Sequence, residues 1–219
     1  MLTHQLITNH YPTVDPEDKI SLALQLMDDF DLLHIAVVQQ NKYLGIISKD
    51  DLLDANEDTA VKGVISSLFQ KSVKSGEHFL SALKLASQNA LSIVPVVGNE
   101  QEWVGAIPAV DLLKAATNFT GAEEPGAVIV LEMERKSYSF GEISRLVETN
   151  DAYITQFNTS FETETGLLIV TIKINKLEVS DILSTFQRYE YIIRYFFGEE
   201  QYENELRYNY DHLMSYLKI

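Results

Sequence analysis

Cysteine is absent from this chain of 219 residues. The absence excludes disulfides, thiolate metal sites and cysteine nucleophiles, and secreted domains of this size more often carry disulfides. No segment approaches the roughly 20 apolar residues that a membrane-spanning helix needs. The stretch from Met1 to Tyr11 has neither the basic start nor the apolar run of a signal peptide. We therefore expect a soluble protein in a reducing cytoplasm, with no membrane partner.

Basic residues are scarce. Seventeen lysines and arginines stand against thirty-two acidic residues, which gives a formal net charge of −15. The field of such a chain repels nucleic acid, so we expect no nucleic-acid partner. The same field works against polyphosphate ligands unless a few local cations overcome it.

Sequence motifs of catalysis are also missing. The chain has no nucleophile elbow, no Walker or dinucleotide glycine loop, and no histidine pair at metal-binding spacing. Adjacent acids such as Asp50 and Asp51 do not face each other on a helix, so they are poor acid/base pairs. His34, at a predicted strand start, is interpreted as a structural residue. We predict that the protein is not an enzyme and has neither a cofactor nor a metal site.

The chain contains an internal repeat, with the second copy about 60 residues after the first. An internal repeat is the most informative feature of a sequence for its fold. Ala23–Met27 reappears as Ala82–Ala86, and the Gly45-Ile46-Ile47 strand with its following Asp51 reappears as Gly105-Ala106-Ile107 with Asp111. Periodicity predicts helix, strand, strand, helix in each copy. The predicted ranges are Asp18–Phe30, Leu33–Val38, Tyr43–Ser48 and a helix from Lys49, then His78–Gln88, Ser92–Val97, Trp103–Ile107 and Ala109–Ala116.

These blocks resemble the tandem cystathionine-β-synthase (CBS) domain pair, also called a Bateman module. The motifs that carry the resemblance are Thr13-Val14-Asp15-Pro16 before the first helix, the Ala23–Met27 pattern, the Val94–Val97 strand with its proline, and the Gly45–Leu52 signature. The resemblance covers residues 1–120, with repeats at about 1–58 and 59–120. Two such units are expected to pack against each other, since one alone leaves a sheet face bare.

The first signature has a physical logic of its own. Ser48 can cap the helix that follows it, the helix start favours an anion, and Asp51 can accept hydrogen bonds from vicinal hydroxyls. In CBS pairs the corresponding hydroxyl residue contacts phosphate and the aspartate holds the ribose of an adenosine ligand, and Lys49 adds a local cation. The ligand-binding set that we expect is Ser48, Lys49, Asp51, Thr13, Val14, Ile35 and Asp111. The simpler alternative is that Ser48 only caps a helix.

Each copy departs from the pattern once. Pro108 replaces the hydroxyl residue in the second signature, and it suits a helix start but offers neither a side-chain oxygen nor an N–H group. Ala36 replaces the proline expected in the strand of the first copy. We therefore expect at most one competent nucleotide site, at the first signature, with Asp111 as a weaker second candidate.

After a linker at Thr117–Gly126, the order strand, helix, strand, strand, helix, strand is ferredoxin-like. The predicted elements are Ala127–Met133, a helix capped by Ser139 and ending near Glu148, Ala152–Glu162, Leu167–Asn175, Glu178–Tyr189 and Tyr191–Phe197. This half, residues 125–198, resembles an ACT domain, and the whole chain resembles CBS/ACT accessory proteins of the acetoin-utilisation type. Residues 199–219 are predicted to form a C-terminal helix. The predicted fold class is α+β.

The resemblance implies a non-catalytic regulatory protein. Its CBS pair would sense AMP, ATP or S-adenosylmethionine and relay the signal to a homodimer or an unknown protein partner, which requires different affinities for two states. One alternative is a ligand-free dimeric scaffold. Another is an amino-acid sensor that uses the ACT-like domain, although its Glu134–Ser139 loop lacks the proline-glycine step of amino-acid-binding ACT domains.

Overall fold

The computed structural model describes residues 1–8 and 11–198. The chain divides into two compact units, Met1–Thr117 and Asn118–Ile219. The first unit holds two three-stranded sheets and the second holds a four-stranded sheet.

The first repeat contains β1 (Thr13–Val14), α1 (Ile20–Asp29), β2 (His34–Gln39), β3 (Lys42–Ser48) and α2 (Lys49–Leu53). The sheet order is β1-β2-β3, with β1 parallel and β3 antiparallel to β2. The buried residues of α1 are Ile20, Ala23, Leu24 and Met27, at the three- and four-residue spacing from which the helix was predicted.

The second repeat has the same order. It contains β4 (Val73–Lys74), α3 (Phe79–Asn89), β5 (Ile93–Val97), β6 (Trp103–Pro108) and α4 (Ala109–Phe119), and its sheet order is β4-β5-β6. The short strands β1 and β4 were not predicted, because two residues are too few to show an alternating pattern. A larger difference between the repeats is the last helix, which has five residues in α2 and eleven in α4.

The segment ahead of the first repeat packs on the second repeat. The Thr3 N–H group donates to the carbonyl of Glu77 (2.9 Å), and the Thr3 hydroxyl donates to the carbonyl of Lys74 (2.6 Å). Further along, the Thr8 N–H group donates to the carbonyl of Ala106 (3.0 Å). Thr3 is fully buried by this packing.

The segment ahead of the second repeat packs on the first repeat in turn. The Val61 N–H group donates to the carbonyl of Asp18 (2.8 Å), while Phe69 and Ile46 exchange two backbone hydrogen bonds (2.9 and 3.0 Å). The two lead segments, residues 1–8 and 59–69, are therefore exchanged between the repeats. Each repeat depends on the other for part of its backbone hydrogen bonding.

The two hairpin turns also meet. The Tyr43 N–H group donates to the carbonyl of Gln101 (2.9 Å), and the Trp103 N–H group donates to the carbonyl of Asn41 (2.8 Å). The two donors, Tyr43 and Trp103, are 60 positions apart, and so are the two acceptors, Asn41 and Gln101. The two bonds are therefore equivalent and are related by an approximate twofold axis. The rings of Tyr43 and Trp103 stack at 5.9 Å.

The second unit is built from β7 (Val128–Met133), α5 (Phe140–Glu148), β8 (Ile154–Glu162), β9 (Leu167–Ile174), α6 (Ser180–Arg188) and β10 (Ile192–Phe197). All strands are antiparallel, in the order β10-β7-β9-β8. Both helices contribute to one core, which contains Ile129, Leu131, Ile143, Leu146, Ile172, Ile182 and Phe186. The predicted α+β class and βαββαβ order are confirmed.

Part of the predicted linker accepts hydrogen bonds from strands of the second unit. Its first residues belong to α4, and the Lys173 ammonium group donates to the carbonyls of Gly121 and Glu124, the latter at 2.7 Å. The Gln156 amide donates to the carbonyl of Phe119 (3.1 Å). The helix predicted at 199–219 lies outside the described residues.

Candidate ligand-binding site

The first signature brings Ser48 and Asp51 into direct contact. Ser48 ends β3 and caps α2: its Oγ accepts a hydrogen bond from the Asp51 N–H group (3.1 Å) and donates one to the Asp51 carboxylate (2.5 Å). Asp51 is exposed. An ionised carboxylate has about four lone-pair sites, so Asp51 keeps capacity to accept hydrogen bonds from the hydroxyls of a bound sugar.

The helix that follows is too short to support an anion strongly. The peptide dipoles of α2 add up over five residues only, and Asp50 and Asp51 already occupy its first turn. The start of α2 is therefore less suited to bind a phosphate than Asp51 is to bind a sugar.

Lys49, the predicted local cation, is engaged elsewhere. Its ammonium group forms an ion pair with the Asp28 carboxylate near the end of α1. A phosphate at Ser48 would have to compete with this carboxylate for the lysine. The sequence gives no signal for the pair, because the two residues are 21 positions apart and belong to different helices.

The three other residues expected in the first repeat occupy its strands. Thr13 and Val14 form β1 and pair with Ala36 and Val37 of β2. Ile35 is opposite Ile47 in the hairpin. Val14 and Ile35 are buried in the core, at 1% and 0% exposure, so they could contact a ligand only after a local rearrangement.

The second signature differs from the first in the residue at its strand end and in the partner of its aspartate. Pro108 pairs with Ile93 at the end of β6, and the Asp111 carboxylate accepts a hydrogen bond from Lys114 (2.9 Å). Burial raises the pKa of Tyr11, with a further increase from the charge of Asp111 and an opposing effect of Lys114. The charges of Asp111 and Lys114 thus act on Tyr11, a residue ahead of β1 that sequence reasoning did not connect with the second signature.

His34 is a neighbour of the first signature that sequence reasoning assigned only a structural role. It is opposite Ser48 in the β2–β3 hairpin. Its Nδ1 accepts a hydrogen bond from the Ser92 N–H group (3.2 Å) and lies 2.8 Å from the Ser92 hydroxyl, which joins the starts of β2 and β5. Burial lowers the pKa of His34, while the charges of Asp51 and Asp50 oppose this effect.

Charge is divided unevenly between the repeats. Residues 1–58 contain eleven acidic and three basic residues, whereas residues 59–117 contain four acidic and five basic residues. The first signature therefore lies in the strongly acidic repeat. This asymmetry can be read from the sequence, and it favours a ligand with little negative charge at Ser48 and Asp51.

The second unit has a cavity of about 370 Å³ beside the Glu134–Ser139 loop. Its lining includes the carboxylates of Glu132, Glu134, Glu142 and Glu190. The Tyr191 hydroxyl donates to Glu142 (2.9 Å), and burial together with this bond raises the pKa of Tyr191 to about 12. The four carboxylates disfavour a ligand that carries its own carboxylate.

Two kinds of feature are absent from residues 1–8 and 11–198. None of the helices there combines the length and the apolar character that crossing a bilayer requires. No group of three histidine, aspartate or glutamate side chains there is arranged to hold a metal ion.

Comparison with known proteins identifies the first unit. Residues 4–58 match the family model described as CBS domain. A CBS domain pair/ACT domain protein from Thermotoga maritima superposes with a TM-score of 0.50 at 23% identity, covering 54% of this chain and 98% of that chain. The first unit has the fold of a CBS domain pair. The CBS pair is thus confirmed, while this level of identity shows the fold alone.

Two further structures match less well. A putative acetoin utilization protein (AcuB) from Vibrio cholerae has a TM-score of 0.47 at 23% identity, covering 57% of this chain and 98% of that chain. The structure of CBSX2 in complex with AMP has a TM-score of 0.46 at 19% identity, covering 54% of this chain and 97% of that chain.

Proposed function

We propose that this protein is a non-catalytic regulator whose CBS pair binds an adenosine-containing ligand at the first signature. The observation that carries the proposal is the exposed Asp51 carboxylate, held by Ser48 at the end of β3. A carboxylate fixed in this way is suited to accept hydrogen bonds from the two hydroxyls of a ribose.

The surroundings of Asp51 favour some adenosine compounds over others. Lys49 is paired with Asp28, and the first repeat has a large excess of acidic residues. Among AMP, ATP and S-adenosylmethionine, we expect ATP to bind most weakly, because it brings the most negative charge into this field. The sulfonium of S-adenosylmethionine is the best match in charge.

The relay is proposed to run through the second unit, which we interpret as an ACT-like domain, to a homodimer or protein partner. Its βαββαβ order supports that interpretation. A ligand acts as a switch only if it binds two arrangements of the protein with different affinities. The proposed ligand therefore stabilises one arrangement at the expense of another.

A ligand-free dimeric scaffold is the second candidate function. It is favoured by Pro108 in the second signature, by Ala36 in β2 and by the engagement of Lys49 with Asp28. In this case the Ser48–Asp51 pair would serve only to cap α2.

A thermal-shift titration separates the two functions. Wild type, Asp51→Ala and Asp50→Ala would each be titrated with AMP, ADP, ATP and S-adenosylmethionine. A ligand at 100 times its dissociation constant adds about 2.7 kcal/mol to the stability of the folded state, or several degrees in melting temperature.

Asp50→Ala is the matched control, since Asp50 is the neighbouring exposed carboxylate of the same helix. A shift that Asp51→Ala abolishes and Asp50→Ala retains supports the sensor. No shift with any of the four compounds would leave the scaffold.

A further inference from the structure

The second repeat contains a cavity that shares no residue with either signature. Its volume is about 520 Å³, and it lies between the start of β4, α3 and the β5–β6 turn. The lining residues from α3 are Ser81, Lys84, Leu85 and Gln88, which occupy one helical face at i, i+3, i+4 and i+7.

Two lysines from separate elements border this cavity, Lys71 before β4 and Lys84 on α3. Among the described residues of the first unit, the lysines at 19, 49, 62 and 114 are in ion pairs, whereas those at 42, 71, 74 and 84 have no carboxylate oxygen within 4.0 Å. The Lys71 ammonium group instead lies 5.8 Å from the centroid of the Phe69 ring.

Most of the other polar groups of the cavity can donate hydrogen bonds as well as accept them. The side chains of Gln70, Ser72, Ser81, Gln88 and Gln101 supply amides and hydroxyls. The one carboxylate in the lining is that of Glu77, and its Oε1 already accepts a hydrogen bond from the Lys74 N–H group (3.0 Å). Two lysines without a carboxylate partner, together with amides and hydroxyls, make the lining of this cavity locally cationic within an acidic chain.

We propose that this cavity binds a small phosphate monoester, with Lys71 and Lys84 contacting the phosphate oxygens. Lysine binds phosphate as a point charge, and several amide and hydroxyl donors suit an anion with many acceptor oxygens. The second repeat, with five basic and four acidic residues, provides a less repulsive setting than the first repeat. The site would act in addition to the adenosine site proposed at Asp51.

Isothermal titration calorimetry with glycerol 3-phosphate and inorganic phosphate tests the proposal on wild type, Lys71→Gln, Lys84→Gln and Lys74→Gln. Lys74→Gln is the matched control, because it removes the same charge from the same repeat outside the cavity lining. We expect Lys71→Gln and Lys84→Gln each to weaken the binding of glycerol 3-phosphate by about tenfold or more. Lys74→Gln should change it less than about twofold, because its charge acts only at long range.

Three results would overturn the proposal: no binding to wild type, an equal loss in Lys74→Gln, or succinate binding as tightly as glycerol 3-phosphate. An equal loss would indicate general charge attraction, and tight succinate binding would indicate a dicarboxylate site. The adenosine proposal is judged separately, since Asp51→Ala should leave glycerol 3-phosphate binding unchanged.

Discussion

The two repeats have the same fold but different residues at the junction between the second hairpin strand and the last helix. At the end of the second hairpin strand, the first repeat has Ser48, which caps a five-residue helix, and the second has Pro108, which immediately precedes an eleven-residue helix. The same strand-to-helix junction thus forms with a capping hydroxyl in the first repeat and with a proline that supplies no capping oxygen in the second. The difference teaches that the strand-to-helix junction of the motif persists where its hydroxyl residue is replaced.

Sequence reasoning succeeded where the pattern was long and local. The α1 and α3 helices, both hairpins and the βαββαβ order follow from patterns over five or more residues. The exchange of the lead segments could not be predicted in this way, because contacts such as Thr3 with Lys74 join residues 71 positions apart.

The candidate site was predictable only in part. The Ser48–Asp51 contact follows from capping rules, since the two residues are three positions apart. Two other interactions depend on how helices and repeats pack. They are the ion pair of Lys49 with Asp28 and the effect of the Asp111 charge on Tyr11. Such contacts carry no local sequence signal.

The largest effect is expected from removing the exchanged lead segment of the first repeat. Deletion of residues 1–8 removes the hydrogen bonds to the carbonyls of Glu77 and Lys74 and uncovers the part of the second repeat's core on which Leu6 and Ile7 pack. Since each lost hydrogen bond costs about 1 kcal/mol and the lost apolar burial adds to this, we expect a loss on the order of 3–5 kcal/mol in urea denaturation. A deletion variant as stable as the full chain would show that the repeats do not depend on exchange.

A smaller loss of stability should follow when a side chain is added on the first repeat where the lead segment 59–69 packs. In Gly45→Ala the new Cβ would lie 2.8 Å from the Leu68 Cβ and 3.2 Å from the Phe69 carbonyl oxygen. Overpacking of this kind costs about 1–3 kcal/mol. Gly63→Ala is the control, because a Cβ there has no neighbour within 4 Å. Equal stability of the two variants would contradict the tight packing of residues 59–69 on the first repeat.

Removing the cap should cost less again. We expect Ser48→Ala to lower the free energy of unfolding by about 1 kcal/mol, because the Asp51 N–H group loses its acceptor. Ser87→Ala, on the exposed side of α3, should leave stability unchanged or slightly raised, since alanine is the better helix former. A Ser48→Ala protein as stable as wild type would show that the Ser48 cap does not stabilise the first repeat.

The smallest effect is a pH dependence of stability that originates at His34 of the first repeat, which corresponds to Ile93 in the second. Burial lowers the pKa of His34, so the folded state binds fewer protons than the unfolded state as the pH falls below about 6.5. Stability should therefore fall between pH 7 and the lowered pKa, and protonation of Nδ1 removes the acceptor for Ser92 N–H.

Denaturation of wild type and His34→Gln across pH 5 to 7 measures this effect. The stability of wild type relative to the variant should decrease as the pH is lowered. A difference that stays constant or grows toward pH 5 would contradict the assigned direction of the pKa shift.

The most direct test of the account is the stoichiometry of adenosine-ligand binding, measured by calorimetry with S-adenosylmethionine on wild type, Asp51→Ala and Asp111→Ala. The account predicts one ligand per chain, lost in Asp51→Ala and retained in Asp111→Ala, because only the first signature keeps the Ser48–Asp51 pair. Two ligands per chain, or binding lost in Asp111→Ala and retained in Asp51→Ala, would contradict the assignment of the site to the first repeat.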